Sequence, residues 1–395
     1  NTMPKAYLVS ACRTPLGKFQ GALSSFRAPE LGALVLREAL IRADLEGEFV
    51  DEVIMGNVLQ AGVGQNPARQ AMRFAQLPDS IPAFTVNKVC GSGLKSVMLA
   101  AQSIKAGDNQ VVLAGGMESM SQSPYLVPAA RSGARLGHAQ LVDAMVHDGL
   151  WDVYSDQHMG MTGELVAKEF QITREMQDDF AVKSHQKAAQ AWQNGYFEDE
   201  TFDVVVPQKK GEDVVVRQDE GFRVDVTADA FAKLRPAFTK DGSVTAANAS
   251  QISDGAAAVL VASEAAIEKH GLTPMAEITG YAAGGLAPEW VMMAPQKAME
   301  NLALVTGMAP QEFDLLELNE AFAAAACALT QEMKLDPELI NVHGGATALG
   351  HPIGASGARL LATLVYAMKR QGASTGAATL CLGGGNAVAL AVKSC

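Results

Sequence analysis

Val86-Asn87-Lys88-Val89-Cys90-Gly91-Ser92-Gly93-Leu94 is the stretch on which the reading of this chain turns. The apolar run from Ile81 to Val89 predicts a strand that enters Cys90. From Gly91 to Ala106, Leu94, Val97, Met98, Ala101 and Ile104 keep helical spacing, and Gly107 stops the helix. Cys90 is therefore expected where a strand meets a helix N-terminus. Unpaired N–H groups and the helix dipole favour thiolate there, so Cys90 reads as a nucleophile at neutral pH. Val111-Val112-Leu113-Ala114 is the next buried strand, expected to end in Gly115-Gly116. Strand, helix and strand in this order imply a right-handed crossover and parallel pairing under helices.

Working outward, residues 6–10 read as a strand and Pro29 to Ala43 as a helix with Leu31, Leu34, Val35 and Ala39 on one face. Asn66-Pro67 is a cap followed by a first-turn proline. The C-terminal part repeats the grammar: a helix from Ser356 to about Arg370, then a strand from Ala377 to Leu382 ending in Gly383-Gly384. Gly93 precedes Gly115 by 22 positions and Gly357 precedes Gly383 by 26, which suggests an internal duplication. Between about Met120 and Ala247 the pattern loosens into polar loops, a capped helix from Thr173-Arg174-Glu175, and a strand pair near 204–206 and 214–216 joined by Lys209-Lys210-Gly211. This reads as an insertion. Within 207–240, seven Lys or Arg stand against six acids, a balance that suits either phosphate binding or a solvated face.

With 395 residues, 48% of them hydrophobic, the chain is long enough for two or three units. A formal net charge of −12 argues against nucleic acid and anionic membranes as partners. No apolar run approaches the roughly 20 residues of a membrane span, and no secretory signal pattern opens the chain, so it is expected in the cytoplasm. Met3 reads as the natural start. Cys12, Cys90, Cys327, Cys381 and Cys395 are odd in number and scattered, as reduced thiols are. No CxxC or paired His/Cys spacing suggests a metal. Cys12 and Cys327 have the small apolar neighbours of packing thiols, and Cys395 is expected to be inert.

Polar groups concentrate in four turns rich in small residues: Cys90-Gly-Ser-Gly, Leu318-Asn319-Glu320-Ala321-Phe322, His343 to Gly357, and Cys381 to Gly385. Further stretches accompany them: Ala11-Cys12-Arg13-Thr14-Pro15, Gly115-Gly116-Met117-Glu118-Ser119-Met120-Ser121, Asn248-Ala249-Ser250, Asp254-Gly255-Ala256-Ala257 and Gly350-His351-Pro352-Ile353-Gly354-Ala355-Ser356-Gly357. Taken in this order, nearly end to end, the set resembles the thiolase family.

The resemblance implies an α/β thiolase fold: two similar βαβ-type halves with mixed sheets covered by helices, plus an inserted loop domain. The first half would span 1–119, completed by 248–271. The insertion at 120–247 would serve CoA binding and oligomerisation, and 272–395 would form the second half. Cys90 matches the family's acyl-accepting nucleophile and His351 its activating base. Cys381 matches the cysteine that takes a proton from the methyl carbon of acetyl-CoA. Asn319 matches the asparagine holding a water that, with the His351 ring, stabilises the thioester enolate. The N–H groups of Cys90 and Gly383 match the oxyanion hole of the acyl-enzyme. Each residue type suits its role, since a soft thiolate attacks a thioester well, and fixed donors at a developing oxyanion supply about 3 to 4 kcal/mol each. Read alone, Gly-His-Pro fits a histidine satisfied by its own loop, and Asn319 fits a cap on a helix from Glu320 to Thr330.

His158-Met159-Gly160 resembles the insertion motif of acetoacetyl-CoA thiolases, where the pair narrows the acyl pocket, and Ser250 matches a serine touching the pantetheine. The expected activity is therefore condensation of two acetyl-CoA to acetoacetyl-CoA and CoA, or the reverse. CoA enters as substrate and product, with no further cofactor. A degradative 3-ketoacyl-CoA thiolase of broader chain length is the enzymatic alternative, and a non-catalytic acyl-CoA or lipid-binding protein the alternative of another class. The chain departs from the family at His343, where asparagine is usual, and at Met161, which replaces a small polar residue. His343 either replaces the asparagine's hydrogen bond or adds a titrating group near the site. The segment 120–145 resembles one that ties pairs into tetramers, so a homodimer or homotetramer is implied.

Overall fold

A computed structural model describes residues 4–395; Met3, the expected start, lies outside them. The central sheet is built from β1 (Ala6–Arg13), β2 (Glu52–Gly56), β3 (Ala83–Val86), β4 (Val111–Ser119), β5 (Ser253–Ser263), β6 (Ala276–Gly285), β7 (Leu315–Leu318), β8 (Thr375–Leu382) and β9 (Asn386–Ser394). Their order is β7-β8-β9-β6-β1-β5-β4-β2-β3, with the short strand Gly17–Lys18 beside β5. In the first half β2 lies parallel to both β3 and β4, while β4–β5 and β5–β1 are antiparallel. In the second half β7 and β8 are parallel, and β8–β9 and β9–β6 antiparallel. The halves meet at β1 and β6 through Tyr7 opposite Glu277 and Leu8 opposite Ala276. Beside β7, where β3 stands in the first half, a single parallel bridge joins Leu316 to Ile340. The duplication is thus real, with its fifth strand worn to one bridge.

Each half folds a helix back before its central strand: Ser92–Ala106 before β4 and Ser356–Gln371 before β8. The two helices pack on each other and against strands of both halves of the sheet. Leu94, Val97 and Ile104 share one apolar cluster with Leu360, Leu361 and Leu364, and burying each contributes about 1.5–3 kcal/mol. Their starts touch backbone to backbone: a Cβ on Gly93 would sit 2.8 Å from Ala358 N, and one on Gly357 would sit 2.3 Å from Leu94 N. Only glycine permits this approach. It sets the Cys90 turn against the His351 loop. Outer helices complete the layers, Ala28–Ala43 over the first half and Ala294–Thr306 with Ala323–Glu332 over the second.

Two local expectations fail. The strand before Cys90 is only Ala83–Val86, and a turn from Asn87 to Gly91 separates it from the helix. The strand at Val111 does not stop at Gly115-Gly116 but runs to Ser119. These glycines are sites of close backbone approach rather than stops, since a Cβ on Gly115 would meet Ala257 O in the neighbouring strand at 2.1 Å and one on Gly116 would meet Gly354 O in the His351 loop at 2.0 Å.

The insertion holds Gly160–Glu169, the helix Arg174–Gln193 capped by Thr173, and the antiparallel pair Val204–Val206 and Val214–Val216. A buried ion cluster ties it to β1. Arg13 Nε donates to Glu200 Oε1 (2.7 Å) and Arg13 Nη1 to Asp219 Oδ1 (2.7 Å), while Trp192 Nε1 donates to Asp219 Oδ2 (3.0 Å). Within the basic stretch Arg217 pairs with Asp203 at 3.0 Å, and Lys209 and Lys210 are exposed.

Candidate active site

The turn that carries Cys90 is held in an unfavourable shape. Val89, β-branched, sits at φ 48°, a left-handed conformation that costs about 1–3 kcal/mol. Ser92 and Asn87 hold it there. Ser92 Oγ accepts from Lys88 N (2.8 Å) and donates to Val89 O (2.6 Å), and Asn87 Oδ1 accepts from Val89 N (3.0 Å). Neither residue had an expected role; the signal was an Asn three residues before the cysteine and a Ser two residues after it. On the other side Cys381 is the penultimate residue of β8, and Gly384 and Gly385 turn the chain at φ 91° and 86° into β9.

The fold brings Cys90, His351, Cys381 and Gly383 to one cavity of about 350 Å³, with His158, Met159 and Ser250 also lining it. Asn319 is not a lining residue. It is buried just past β7, and neither its amide nitrogen nor its amide oxygen has a protein partner. A buried amide with both ends open fits a group that serves a water or a ligand. The helix beyond it begins at Ala323, so Asn319 does not cap it.

The electrostatics correct one expectation. Burial, with Cys381 beside it, pushes the Cys90 thiol above its ordinary range, although its own N–H and that of Gly383 favour the thiolate. Desolvation outweighs the helix start, so the resting nucleophile is a thiol. Cys381 is pushed up to about 12 by burial. His351 is pulled down to about 3 by burial and by the Arg359 guanidinium, and is neutral at pH 7. The resting site therefore holds two thiols and a neutral imidazole, with a base that can receive a proton only as attack proceeds.

The loop bearing His351 is anchored from the first half. Glu118, at the end of β4, accepts from Gly354 N (2.9 Å), Val58 N (3.0 Å), Leu59 N (3.1 Å) and Asn57 Nδ2 (2.9 Å). Burial raises this carboxyl to about 7 against those hydrogen bonds. It was legible only as a carboxylate inside an otherwise apolar run. His351 Nδ1 meets Ser356 Oγ at 2.5 Å.

On the opposite wall a short hairpin, Trp151–Asp152 with Gln157–His158, delivers His158. Its ring stacks on Phe238 with centroids 4.5 Å apart, and its Nδ1 accepts from Gly160 N (3.0 Å). Ser250 is fixed by its N–H donating to Ala321 O (3.0 Å). Met292, which the sequence did not flag, lines the cavity with its sulfur 3.9 Å from that of Cys381. An adjoining cavity of about 430 Å³ shares His158, Ser250, Phe322 and His351.

Three residues are not at the site. His343 accepts from Arg370 Nη1 (3.3 Å) and packs on Tyr196, with centroids 5.2 Å apart, and it adds no titrating group to the cavity. Met161 lies in the helix Gly160–Glu169 and does not line the cavity either. Cys327 is half-buried and borders a separate groove, not the closed packing expected, whereas Cys12 is fully buried.

The profile described as "Thiolase, N-terminal domain" matches residues 6–265, and "Thiolase, C-terminal domain" matches 272–394. An acetyl-CoA acetyltransferase of Cupriavidus necator is 54% identical over 391 residues, covering 99% of this chain and 100% of that protein. One of Pseudomonas aeruginosa is 52% identical over 388 residues, 98% of this chain and 99% of that protein. The crystal structure of the Bacillus anthracis acetyl-CoA acetyltransferase superposes with a TM-score of 0.98 at 40% identity, over 100% of both chains.

Proposed function

The chain belongs to the thiolase family, and from that premise we propose that it is an acetyl-CoA C-acetyltransferase, condensing two acetyl-CoA to acetoacetyl-CoA and CoA or running the reverse thiolysis. The observation that carries this reading is the convergence of Cys90 from the first half with His351 and Cys381 from the second on one cavity.

In the first half-reaction Cys90 Sγ attacks the thioester carbonyl as its proton passes to His351. The carbon–sulfur bond to CoA breaks, the proton leaves with the CoA sulfur, and the acetyl group stays on Cys90. In the second, Cys381 passes its proton to His351 and, as the thiolate, takes one from the methyl group of another acetyl-CoA. The enolate oxygen is held by His351 and by a water on Asn319, whose two open amide ends support this role. The carbanion attacks acetyl-Cys90, the N–H groups of Cys90 and Gly383 hold the oxyanion, and the Cys90–carbon bond breaks as Cys90 Sγ takes the proton from His351. The thioester stays activated throughout, so the route calls on no metal or redox cofactor.

Short substrates fit the wall formed by His158, Met159 and Met292. The outer edge of β3 lacks a strand partner, and the segment between the strands Tyr125–Leu126 and Val142–Asp143 exposes Leu136 fully. An open strand edge and an exposed apolar segment support a homodimer or homotetramer. The sheet order supports the division into 1–119 with 248–271, 120–247 and 272–395. Five free cysteines support a cytoplasmic enzyme, and the net charge of −12 disfavours nucleic acid and anionic membranes as partners; among the described residues no helix is long and apolar enough to cross a membrane.

The test is thiolysis of acetoacetyl-CoA against a medium-chain 3-ketoacyl-CoA, with Cys90→Ala as control. Preference for the medium chain favours the broader degradative thiolase. An inactive wild-type protein whose fast thiol acetyl-CoA still shields from iodoacetamide would point to a binding protein.

A further inference from the structure

The reaction asks one imidazole for two services. Taking the Cys90 proton needs a bare ring nitrogen, and holding an enolate oxygen needs an N–H. The ring's neighbours restrict how both are met. His351 Nδ1 lies 2.5 Å from Ser356 Oγ, and that hydroxyl donates to Pro352 O at 3.0 Å. A hydroxyl has one hydrogen, so with it committed to Pro352 the oxygen can only accept from the ring. Nδ1 then carries the hydrogen. Nε2, which has no protein partner among the described residues, is the basic nitrogen.

Ser356 is 1% exposed, so bulk water does not compete for its hydroxyl. Its backbone is equally fixed: it opens the helix Ser356–Gln371, its N–H donates to Pro352 O (3.0 Å), and Gly357 beside it abuts Leu94. We propose that Ser356 is a positioning residue for acetyl transfer, holding the Nδ1–H of His351 so that Nε2 is presented to Cys90 and to the substrate oxygen in both half-reactions. When the Cys90 proton reaches Nε2 the ring becomes an imidazolium, Nδ1–H keeps its bond to Ser356, and Nε2–H is the new donor. The proton then departs with the CoA sulfur, the chain of bonds returns unchanged, and the Cys381 proton passed to Nε2 in the second half-reaction makes it a donor to the enolate oxygen again. A carboxylate at this place would hold the imidazolium and slow that return. The neutral hydroxyl, with the Arg359 guanidinium opposing positive charge on the ring, releases it.

This inference rests on the acetyltransferase reading, and the experiment separates the two. Steady-state thiolysis is measured for wild type, Ser356→Ala and Ser356→Thr, together with ¹⁵N NMR of the histidine rings, the His351 signals being those absent from His351→Ala. The resting wild type is expected to show the Nδ1–H tautomer. Ser356→Ala is expected to lose kcat by about 10- to 100-fold, the range for partners that orient an active histidine, with KM within about threefold and the ring signals shifted toward Nε2–H. Ser356→Thr is expected to restore the wild-type tautomer and much of kcat. An Nε2–H tautomer in resting wild type, readable even if the alanine variant does not fold, overturns the proposal. So does wild-type kcat in Ser356→Ala. Loss of the underlying reading would show differently, as full activity in Cys90→Ala.

Discussion

The Glu118 carboxylate, at the end of β4 in the first half, accepts the Gly354 N–H of the second half at 2.9 Å, three residues beyond His351. One hydrogen bond thus joins the half that carries the nucleophile to the loop that carries the base. Its other oxygen accepts from Leu59 N and Asn57 Nδ2. A glutamine here would set an NH₂ against two donors whichever way it turned. Glu118→Gln is expected to cost about 2–5 kcal/mol in urea unfolding and to lower kcat more than KM rises. Wild-type stability and kcat together would show that this bond does not register the loop.

Arg13 is the pin between β1 and the insertion. Removing it leaves Glu200 and Asp219 buried without their cation, so Arg13→Met is expected to lose about 3–5 kcal/mol. Arg13→Lys should not recover this, because one ammonium cannot satisfy both carboxylates as the guanidinium fork does. Equilibrium unfolding of the two variants beside wild type measures it.

Acid sensitivity follows from the histidines. His351 is lowered to about 3, and His343 and His185 to about 4, from an ordinary value of 6.5, each chiefly by burial. Below 6.5 the unfolded chain binds protons that the folded one refuses, so stability is full above 6.5 and falls with pH toward those lowered values. Glu118, raised from 4.5 to about 7, works in the opposite direction between those two values, and Glu317 is likewise raised. Below pH 4.5 such acids are protonated in both states. The histidine effect is then unopposed, and stability is expected to drop most steeply there. His343→Asn, which keeps an acceptor for Arg370, should shift the acid unfolding midpoint to lower pH while leaving activity at pH 7 within about twofold, since the residue is remote from the cavity. An unmoved acid midpoint would remove His343 from this account.

Met159→Ala should widen the acyl wall. Thiolysis of a medium-chain 3-ketoacyl-CoA relative to acetoacetyl-CoA is expected to rise on the order of tenfold, the range for one or two added methylenes. A chain-length series of kcat/KM for both proteins reads it, and an unchanged ratio would assign the limit to other side chains.

Periodicity marked the helix before β4, whose apolar residues keep helical spacing, whereas the helix before β8 is buried nearly all round and was read as a repeat of the first unit; the Asn66, Thr173 and Gly107 caps fell where expected. The parallel bridge at Ile340 and the true end of β3 were not legible, since a strand held by a few pairs has no period to show. Gly115 and Gly116 misled because a glycine demanded by a neighbouring backbone looks, in sequence, like a glycine that ends a strand. At the site, the motifs pointed to Cys90, His351 and Cys381, which the fold gathers. The partners Glu118, Ser356 and Met292 stayed hidden because each acts on a residue distant in the chain or through a bond that only folding makes. The protonation state of Cys90 was misjudged because a helix start is visible in sequence and burial is not.

The central claim is that Cys90 accepts the acyl group and Cys381 moves the carbon-bound proton within the same cavity. Incubating Cys381→Ser with acetyl-CoA and mapping the acetyl mass by peptide mass spectrometry, while assaying acetoacetyl-CoA formation, tests it most directly. Acetyl on the Cys90 peptide with carbon–carbon bond formation abolished is the predicted result. Acetylation at any other residue, or undiminished acetoacetyl-CoA synthesis by the variant, would contradict it.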